Sequence, residues 1–447
     1  MTNDNLTRDL TAALNEIPII DPHSHIDPLA PVSKSLEDIL GYHYYTELAH
    51  SAGMNQAVLS KDVSPRERVR EIVKFMAKFD NTAQYGWFLD IAKTFLGFSG
   101  DAITSEDAGP LFDAAERTFA QPDWESQVFA KSKLEKIFLT NEFDDSLEGF
   151  DTNKYVPCLR TDTLVFHLDK PETRQRLART TGIDVGDSPT LRKAIWKLFA
   201  HFKAKGAKAC AISLPPDFTP AVASEADLDR ALKAVQEDAP MARGMFEAVR
   251  LAKTVLSGTP QLDPSARTTV SHGVFQMLAE HCREFALPFD LMIGVNRKVY
   301  EKGVYQGQDL FDRRCSLIQY RELFNRFPEV TFPISVLTSG QNQELVAYSW
   351  IFPNVTTNGH WWYSNIPAYI KSDLRERLQA VPKTKQIGYY SDAYKLEFVL
   401  PKYTMYRRIL ADVLAEEFVR PGRLNEIDAV ALGKRLLRDN VRDMFQV

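Results

Sequence analysis

The sequence is poor in several features that would assign it to a special class of protein. No apolar run approaches the roughly 20 residues that span a bilayer, and the N-terminal residues lack the basic and apolar regions of a secretory signal. Only four of the 447 residues are cysteines, and no two form a C-x-x-C pair: Cys158, Cys210, Cys282 and Cys315. This scarcity argues against a disulfide framework and a zinc ribbon, and it predicts reduced, mostly buried thiols.

The sequence also has no excess of positive charge. Its net charge is −5 and its pI is near 6.0, so there is no general electrostatic reason for it to bind nucleic acid or a membrane surface. A hydrophobic content of 44% and a charged content of 25% are typical of an ordinary globular protein. Together with the missing secretory signal and membrane span, these values lead us to expect a cytoplasmic protein.

Short apolar runs rich in β-branched residues occur along the chain and predict buried parallel strands. Between most of them lie segments with apolar residues at spacings of three and four, which indicate amphipathic helices. The apolar runs predicted to be strands number eight: 17–21, 136–140, 155–160, 209–214, 289–294, 331–337, 354–358 and 386–392.

Eight alternations of strand and helix predict an α/β protein, a (β/α)8 TIM-type barrel with its active site at the C-terminal ends of the strands. No glycine-rich phosphate-binding motif follows an early strand, which argues against a doubly wound open sheet. The long helical stretch after strand 1 predicts an insertion. We expect an N-terminal helix and strand 1 at 1–23, a helical insertion near the active-site mouth at 24–133, and the remaining barrel with C-terminal helices at 134–447.

Two histidines follow the first predicted strand, and a carboxylate follows the last. His23 and His25 are two residues apart, so both side chains project from one side of an extended backbone. Asp392 ends strand 8, which lies beside strand 1 in a closed barrel. Two imidazoles and a carboxylate suit a divalent metal with open positions for substrate. A polar strand-end loop for the histidines and a helix N-cap for Asp392 are the structural alternatives.

Several segments together resemble the uronate isomerases of the amidohydrolase superfamily. They are "IPIIDPHSH", "GYHYYTEL", "FDLMIGVNR", "NGHWWYSNIP" and "GYYSDAYKLEFVLPKYTMYRRIL", and the resemblance extends from about residue 15 to 415. It implies a metal-dependent (β/α)8 barrel that interconverts an aldose uronate and its ketose, such as glucuronate and fructuronate.

The resemblance also implies roles for individual residues. His23, His25 and Asp392 would be metal ligands, with Asp392 also the base; Tyr44 would be the acid and His43 its catalytic neighbour. Arg160 would bind the substrate carboxylate through the bidentate contact that a guanidinium fork supplies. Structural alternatives remain for His43, as a packed helix residue, and for Arg160, as an ion-pair partner of Asp162 or Glu142. The further substrate-binding candidates are Arg297, His360, Trp361 and Tyr394.

The sequence departs from the family at positions near the expected site. Met292 stands where the family has a strand-5 histidine, and Tyr394 stands where it has an arginine. The Met292 thioether does not replace an imidazole, and the Tyr394 phenol does not replace a guanidinium. The strand-4 run "KACAISL" lacks the expected Asp-His pair and a suitably placed lysine, so we expect one divalent ion, with zinc favoured and manganese or iron also fitting.

Three functions are compatible with these patterns. The leading hypothesis is a metal-dependent aldose–ketose isomerase of a uronate, with a small sugar acid as its partner and a homo-oligomeric state. The second is a mononuclear metal-dependent hydrolase or decarboxylase of the same superfamily. The third is a barrel that binds a sugar acid without catalysis.

Overall fold

The computed structural model describes residues 3–237, 264–305 and 307–447. Part of the predicted barrel, at 238–263, lies outside these residues. Parallel strands occur at each of the eight predicted places, and the structure sets their bounds as follows: strand 1, Ile19–Asp21; strand 2, Leu134–Phe138; strand 3, Tyr155–Val156 and Cys158–Arg160; strand 4, Ala209–Leu214; strand 5, Phe289–Ile293; strand 6, Phe332–Val336; strand 7, Val355–Asn358; strand 8, Gln386–Ile387.

These strands follow one another in chain order around a parallel barrel. Strand 3 is interrupted at Pro157, which has no backbone N–H to donate. Its first half pairs with strand 2 and its second half with strand 4. The prediction of a (β/α)8 barrel is therefore confirmed.

The barrel closes between the segments that follow strands 8 and 1. The Asp392 N–H donates to the His23 carbonyl at 3.1 Å, and the His25 N–H donates to the Ala393 carbonyl at 2.8 Å. Strand 8 is shorter than predicted because the Gly388 N–H donates to the Leu436 carbonyl and not to a neighbouring strand. Closure brings the two predicted halves of the metal site together.

Helices surround the barrel, and the segment between strands 1 and 2 is mainly helical. Ser64 and Thr82 each cap one of these helices through a side-chain oxygen. Within the described residues the α-helices are Asn3–Asn15, Leu36–Leu40, His43–Ser51, Pro65–Met76, Ala83–Phe95, Ala108–Phe119, Trp124–Ser132, Asp162–His167, Pro171–Thr181, Ser188–Ala204, Glu225–Glu237, Pro264–Glu284, Arg321–Arg326, Asn342–Ile351, Pro367–Ala380, Val399–Leu414, Glu426–Lys434 and Asn440–Phe445.

Shorter elements complete the described residues. A two-stranded antiparallel hairpin pairs Val295–Asn296 with Leu310–Phe311. Single turns of 3-10 helix lie at Gln56–Leu59, Ser105–Asp107, Leu317–Tyr320, Ser339–Gln341, Trp362–Ser364 and Leu396–Phe398, and π-helical turns lie at Ala415–Val419 and Arg435–Asp439. In the part of the chain that the structure describes, no helix is both long enough and apolar enough to cross a membrane.

The side chains of strand 5 alternate between two environments. Phe289, Leu291 and Ile293 pack outward against the helical layer. Met292 packs with aromatic residues at the barrel mouth, and Asp290 is buried and accepts a hydrogen bond from Asn358 across the barrel. This alternation places Met292 on the site side of the strand, as its alignment with the family's histidine predicts.

Two further cores support the barrel. Its floor is filled by Ile20, Phe138 and Ile387 together with Val441 and Phe445 from the last helix. The helices between strands 1 and 2 share a larger core with helix Val399–Leu414. All four cysteines are free and buried, as predicted.

Candidate metal centre

His23, His25 and Asp392 converge at the C-terminal end of the barrel. Asp392 Oδ1 lies 3.5 Å from His23 Nε2 and 3.3 Å from His25 Nε2. One ligand atom from each residue lies within 4.8 Å of the others. His23 and Asp392 are buried, and the His25 side chain is 22% exposed. The three predicted ligands thus form one group with a single side open to the mouth.

Two atoms of this group have no hydrogen-bond partner although they are buried. They are His23 Nε2 and Asp392 Oδ1. Leaving buried polar atoms without partners is costly, and a cation between them would satisfy both. The donor set of two imidazole nitrogens and one carboxylate oxygen is common at catalytic divalent-metal sites. These residues therefore fit a divalent metal.

A hydroxyl after strand 2 fixes the ring of His25. Thr140 Oγ1 lies 2.8 Å from His25 Nδ1 and donates its own proton to the Ser24 carbonyl at 3.0 Å. Because that proton is already used, Thr140 accepts a hydrogen bond from Nδ1–H. The His25 Nε2 atom then carries the free lone pair toward Asp392, which is the tautomer that a metal requires.

The backbone of Asp392 is held in an unusual conformation. Its φ of +50° is in the left-handed region, which non-glycine residues rarely adopt. The Tyr42 hydroxyl donates to its carbonyl at 2.9 Å, and the Ser391 N–H donates to Asp21 Oδ1 at 3.0 Å. The next helical turn begins only at Leu396, so Asp392 is not a helix N-cap.

Electrostatics act differently on the three side chains. Burial acts to lower the pKa of His23, but the interaction of His23 with Asp392 outweighs burial and raises the pKa. Burial acts to raise the pKa of Asp392, but the close approach of His23 and His25 outweighs it and lowers the pKa. Burial is also the main cause that lowers the pKa of His25. The carboxylate is therefore ionised, and His25 is favoured as a neutral imidazole.

The His-Tyr pair of the insertion lies beside this group. His43 begins helix His43–Ser51, and its Nδ1 lies 2.7 Å from Glu47 Oε1. Tyr44 is buried, and its hydroxyl has no hydrogen-bond partner. Burial, with added repulsion from Asp392, raises the pKa of Tyr44 well above its usual range. A neutral phenol with a free hydroxyl can donate a proton or a hydrogen bond.

The two predicted cationic residues lie at the rim and are partly engaged. Arg160 Nε donates to Asp162 Oδ2 at 3.2 Å, and the Arg160 side chain is 31% exposed. Arg297 donates to Asp309 at 2.6 Å and is more exposed. The ion pair considered for Arg160 is present, and it orients the guanidinium at the mouth without covering it.

Aromatic residues line the wall facing the histidines. The Tyr394 ring stacks on His25 with ring centroids 4.9 Å apart, and the Tyr390 ring lies 5.2 Å from His23. Trp361 packs with Tyr390 and Met292. The positions where the family has histidine and arginine therefore present an apolar and aromatic surface.

His360 lies away from the other predicted residues. It is buried, and its ring faces Tyr389 and Tyr406 behind strand 7. Its Nδ1 lies 3.6 Å from Asp373 Oδ2, on helix Pro367–Ala380. The structure therefore does not place His360 with the substrate-binding candidates, because the chain turns after Asn358 and directs this side chain toward the helical layer.

The sequence interpretation missed several residues that shape the site. Thr140 could have been found from its place at the end of strand 2, and Asp290 from its polarity within an apolar strand. Burial raises the pKa of Asp290 to about 6, against the opposing effects of His23 and Asn358. The sequence around Tyr390 and Lys402 shows only an apolar context, which gave no reason to place either residue near the site.

A cavity of about 1090 Å³ lies between the insertion and the loops of the mouth. Tyr44 and Trp362 form part of its wall, together with Glu47, His50, Tyr300 and Tyr363. His23, His25 and Asp392 do not line it. The cavity therefore reaches Tyr44 but not the side chains of the ligand group.

Comparisons with known proteins agree on one family. The family model described as glucuronate isomerase matches residues 1–252. The uronate isomerase of Thermotoga neapolitana is 24% identical over 460 residues, covering 98% of this chain and 96% of that protein.

Solved structures share the fold over nearly the whole chain. The uronate isomerase of Thermotoga maritima has a TM-score of 0.85 at 19% identity, covering 99% of this chain and 97% of that one. The glucuronate isomerase of Caulobacter crescentus has a TM-score of 0.86 at 18% identity, covering 99% and 94%. Since the family model matches more than half of the sequence, this chain belongs to the glucuronate isomerase family.

Proposed function

We propose that this chain is a metal-dependent uronate isomerase that interconverts an aldose uronate and its ketose. One observation carries the proposal: in a chain of this family, His23, His25 and Asp392 converge at the barrel mouth with unpartnered buried atoms turned toward one another. Family membership supports the reaction, and this geometry supports the metal centre.

His23 Nε2, His25 Nε2 and Asp392 Oδ1 would hold the metal ion. A bound divalent cation supplies a Lewis acid that polarises the carbonyl and hydroxyl oxygens of the substrate. We propose one ion, with zinc favoured and manganese or iron as alternatives, because two imidazoles and a carboxylate suit all three.

The isomerisation moves one proton from C2 to C1 while the hydroxyl proton leaves O2 and O1 gains one. Asp392 would be the base that accepts a proton, and Tyr44, which is neutral, would donate one. Both groups are buried, so water has little access to the proton in transit. His43 packs against Tyr44, with ring centroids 4.2 Å apart, and fixes the orientation of the phenol.

Arg160 would bind the substrate carboxylate. Its guanidinium is at the rim, and Asp162 holds it in place, which lowers the entropy lost when the substrate binds. Arg297, Trp361 and Tyr394 would complete the wall of the binding site, with Trp361 and Tyr394 offering ring faces to the sugar.

The direct test is incubation of the metal-loaded protein with glucuronate and with galacturonate in deuterated water, followed by NMR. We expect ketose signals and exchange of the C2 proton, and we expect both to be absent in a His23→Ala variant. Failure with both sugars, together with turnover of lactones, amides or aromatic acids, would instead support a hydrolase or decarboxylase. Metal-free protein that binds a sugar acid without turnover would support a binding barrel.

We also propose a cytoplasmic location and a homo-oligomeric state. Four free, buried cysteines suit a reducing compartment. Apolar side chains near the mouth are exposed and suit a subunit contact; they include Tyr300, Tyr305, Leu310 and Phe311. Light scattering coupled to size-exclusion chromatography would test the oligomeric state.

A further inference from the structure

A fully buried lysine lies at the junction of the barrel and the insertion. Lys402, on helix Val399–Leu414, has no exposed surface. Its ammonium donates to the Ser391 carbonyl at 2.7 Å. The same Nζ lies within 6 Å of four aromatic ring centroids: Trp87 at 4.8 Å, Tyr42 and Tyr44 at 5.3 Å, and Phe398 at 5.8 Å.

Burying an ammonium group is unfavourable, and lysine is rarely fully buried. An apolar side chain of similar length would fill an aromatic enclosure at lower cost. Cation–π attraction and one hydrogen bond offset part of the penalty. The presence of a lysine at this position therefore indicates a role beyond packing.

The role follows from the atoms that Lys402 contacts. Ser391 directly precedes the Asp392 ligand, whose own carbonyl is held by the Tyr42 hydroxyl. Asp392 has a φ of +50°, so its backbone would relax if one of these anchors were lost. Lys402 and Tyr42 thus hold two successive carbonyls and keep the carboxylate directed at the histidines.

The same ammonium also organises the insertion. Tyr42, Tyr44 and Trp87 come from the segment between strands 1 and 2, whereas Ser391 follows strand 8. The Lys402 ammonium therefore interacts both with Tyr44, the phenol proposed as the acid, and with the loop that carries the Asp392 ligand. A change at Lys402 would disturb both together.

We propose that Lys402 is a positioning residue that sets the geometry of the Asp392 ligand loop and of Tyr44. This inference rests on the metal centre proposed above. It assigns Lys402 no contact with substrate and no proton transfer.

The test compares metal affinity in three variants of the full chain. Lys402→Met removes the charge and the donor at similar length, and Lys402→Arg restores a cation. Arg407→Met is the matched control, because Arg407 is a buried cation on the same helix that also donates to a backbone carbonyl, but to Ile17 below strand 1. Zinc affinity is measured by chelator competition, and the ligand geometry by the visible spectrum of the cobalt-loaded protein.

We expect Lys402→Met to weaken zinc binding by about 10–100-fold, the usual effect of losing an outer support of a metal ligand, and to change the cobalt spectrum. Lys402→Arg should bind zinc more tightly than Lys402→Met does. Arg407→Met should lower the melting temperature while its zinc affinity and cobalt spectrum stay those of the unmodified protein.

Unchanged zinc affinity in Lys402→Met, or an equal loss in Arg407→Met, would overturn the inference. If Lys402→Met does not fold, Lys402→Gln decides, since it removes the charge that contacts Ser391 and keeps a polar side chain. A smaller loss of affinity in the same direction supports the positioning role, and unchanged affinity overturns it. Failure of the unmodified protein to bind zinc or cobalt would refute the metal centre itself, which separates the two proposals.

Discussion

Thr140 Oγ1 accepts a hydrogen bond from His25 Nδ1 at 2.8 Å and donates a hydrogen bond to the Ser24 carbonyl. The hydroxyl is therefore committed as an acceptor toward the imidazole, and one tautomer of His25 is selected. A residue that follows strand 2 thus determines which ring nitrogen of His25, which follows strand 1, faces the metal position.

Thr140→Val should weaken metal binding by about 10–100-fold with little loss of fold, because valine keeps the shape and removes only the hydroxyl that accepts from His25 and donates to the Ser24 carbonyl. Isothermal titration with zinc measures the effect. Thr163→Val is the control, since its hydroxyl bonds to Glu142 outside the ligand group. Equal zinc affinity in the two variants would contradict the assigned role of Thr140.

Loss of a ligand should have a larger effect than loss of its support. We expect His25→Ala and Asp392→Asn to lose bound metal and to reduce isomerase activity by more than about 100-fold, beyond the range typical of outer-shell changes. His281→Ala, which removes a buried histidine paired with Glu284, should keep full metal content. Elemental analysis after dialysis provides the measurement, and retained metal in His25→Ala would refute the site.

Arg160 and Arg297 should differ in their effects on substrate binding. Arg160→Met should lower kcat/KM for a uronate by roughly 10–100-fold, the value of one charged hydrogen-bonded contact. Most of the change should appear in KM, and metal content should be unchanged. Arg297→Met should have a smaller effect, because Arg297 is more exposed and engaged by Asp309. Steady-state kinetics measure both effects. A larger loss of kcat/KM in Arg297→Met than in Arg160→Met would assign carboxylate binding to Arg297 instead.

Gly359 permits a close approach that an alanine would prevent. Its φ is +45°, and an added Cβ would lie 2.2 Å from the Tyr390 ring. Gly422 also has a positive φ, but an added Cβ there meets open space. Gly422→Ala should cost about 1–2 kcal/mol of unfolding free energy from backbone conformation alone. Gly359→Ala should cost about 1–3 kcal/mol more from overpacking, and urea unfolding measures both.

His360 should make stability depend on pH. Burial, with repulsion from Arg377, lowers the pKa of His360 to about 4 in the folded protein, compared with an ordinary pKa of 6.5. As the pH falls, the unfolded chain gains the proton first, so the stability present above pH 6.5 is lost as the pH falls through 4. The full effect is about 3 kcal/mol.

The measurement compares unfolding free energies of the unmodified protein and a His360→Gln variant from pH 7 to pH 4, in the presence of a chelator. Contributions from other groups are common to both proteins and cancel in the difference. We expect the unmodified protein to lose stability relative to the variant as the pH falls. A difference that is constant with pH would refute the prediction.

The order of strands was predictable because buried parallel strands leave a strong signal. Each of the eight apolar runs is at a strand, and the ligand pair and the closing carboxylate follow from the position of strand 8 beside strand 1. Pro157 breaks strand 3 within the predicted run, since a proline removes one donor without changing the apolar character of the segment.

Side-chain direction in the loops beyond the strands was much less predictable. His360 follows strand 7 as His23 follows strand 1, yet a turn of the backbone sends it into the helical layer. Lys402 lies on a helix where a charged residue ordinarily faces solvent, and only the packing of the insertion against that helix buries it. Such placements depend on contacts between distant segments, which local patterns do not contain.

The floor of the barrel has a consequence for biosynthesis. Val441 and Phe445 complete the core beneath strands 1, 2 and 8, and the closing contact between Asp21 and Ser391 joins positions 370 residues apart. A chain emerging from the ribosome therefore displays both histidines long before their carboxylate partner and its supporting helix exist. All three proposed ligands can bind one metal ion only after synthesis has passed Asp392, which follows strand 8.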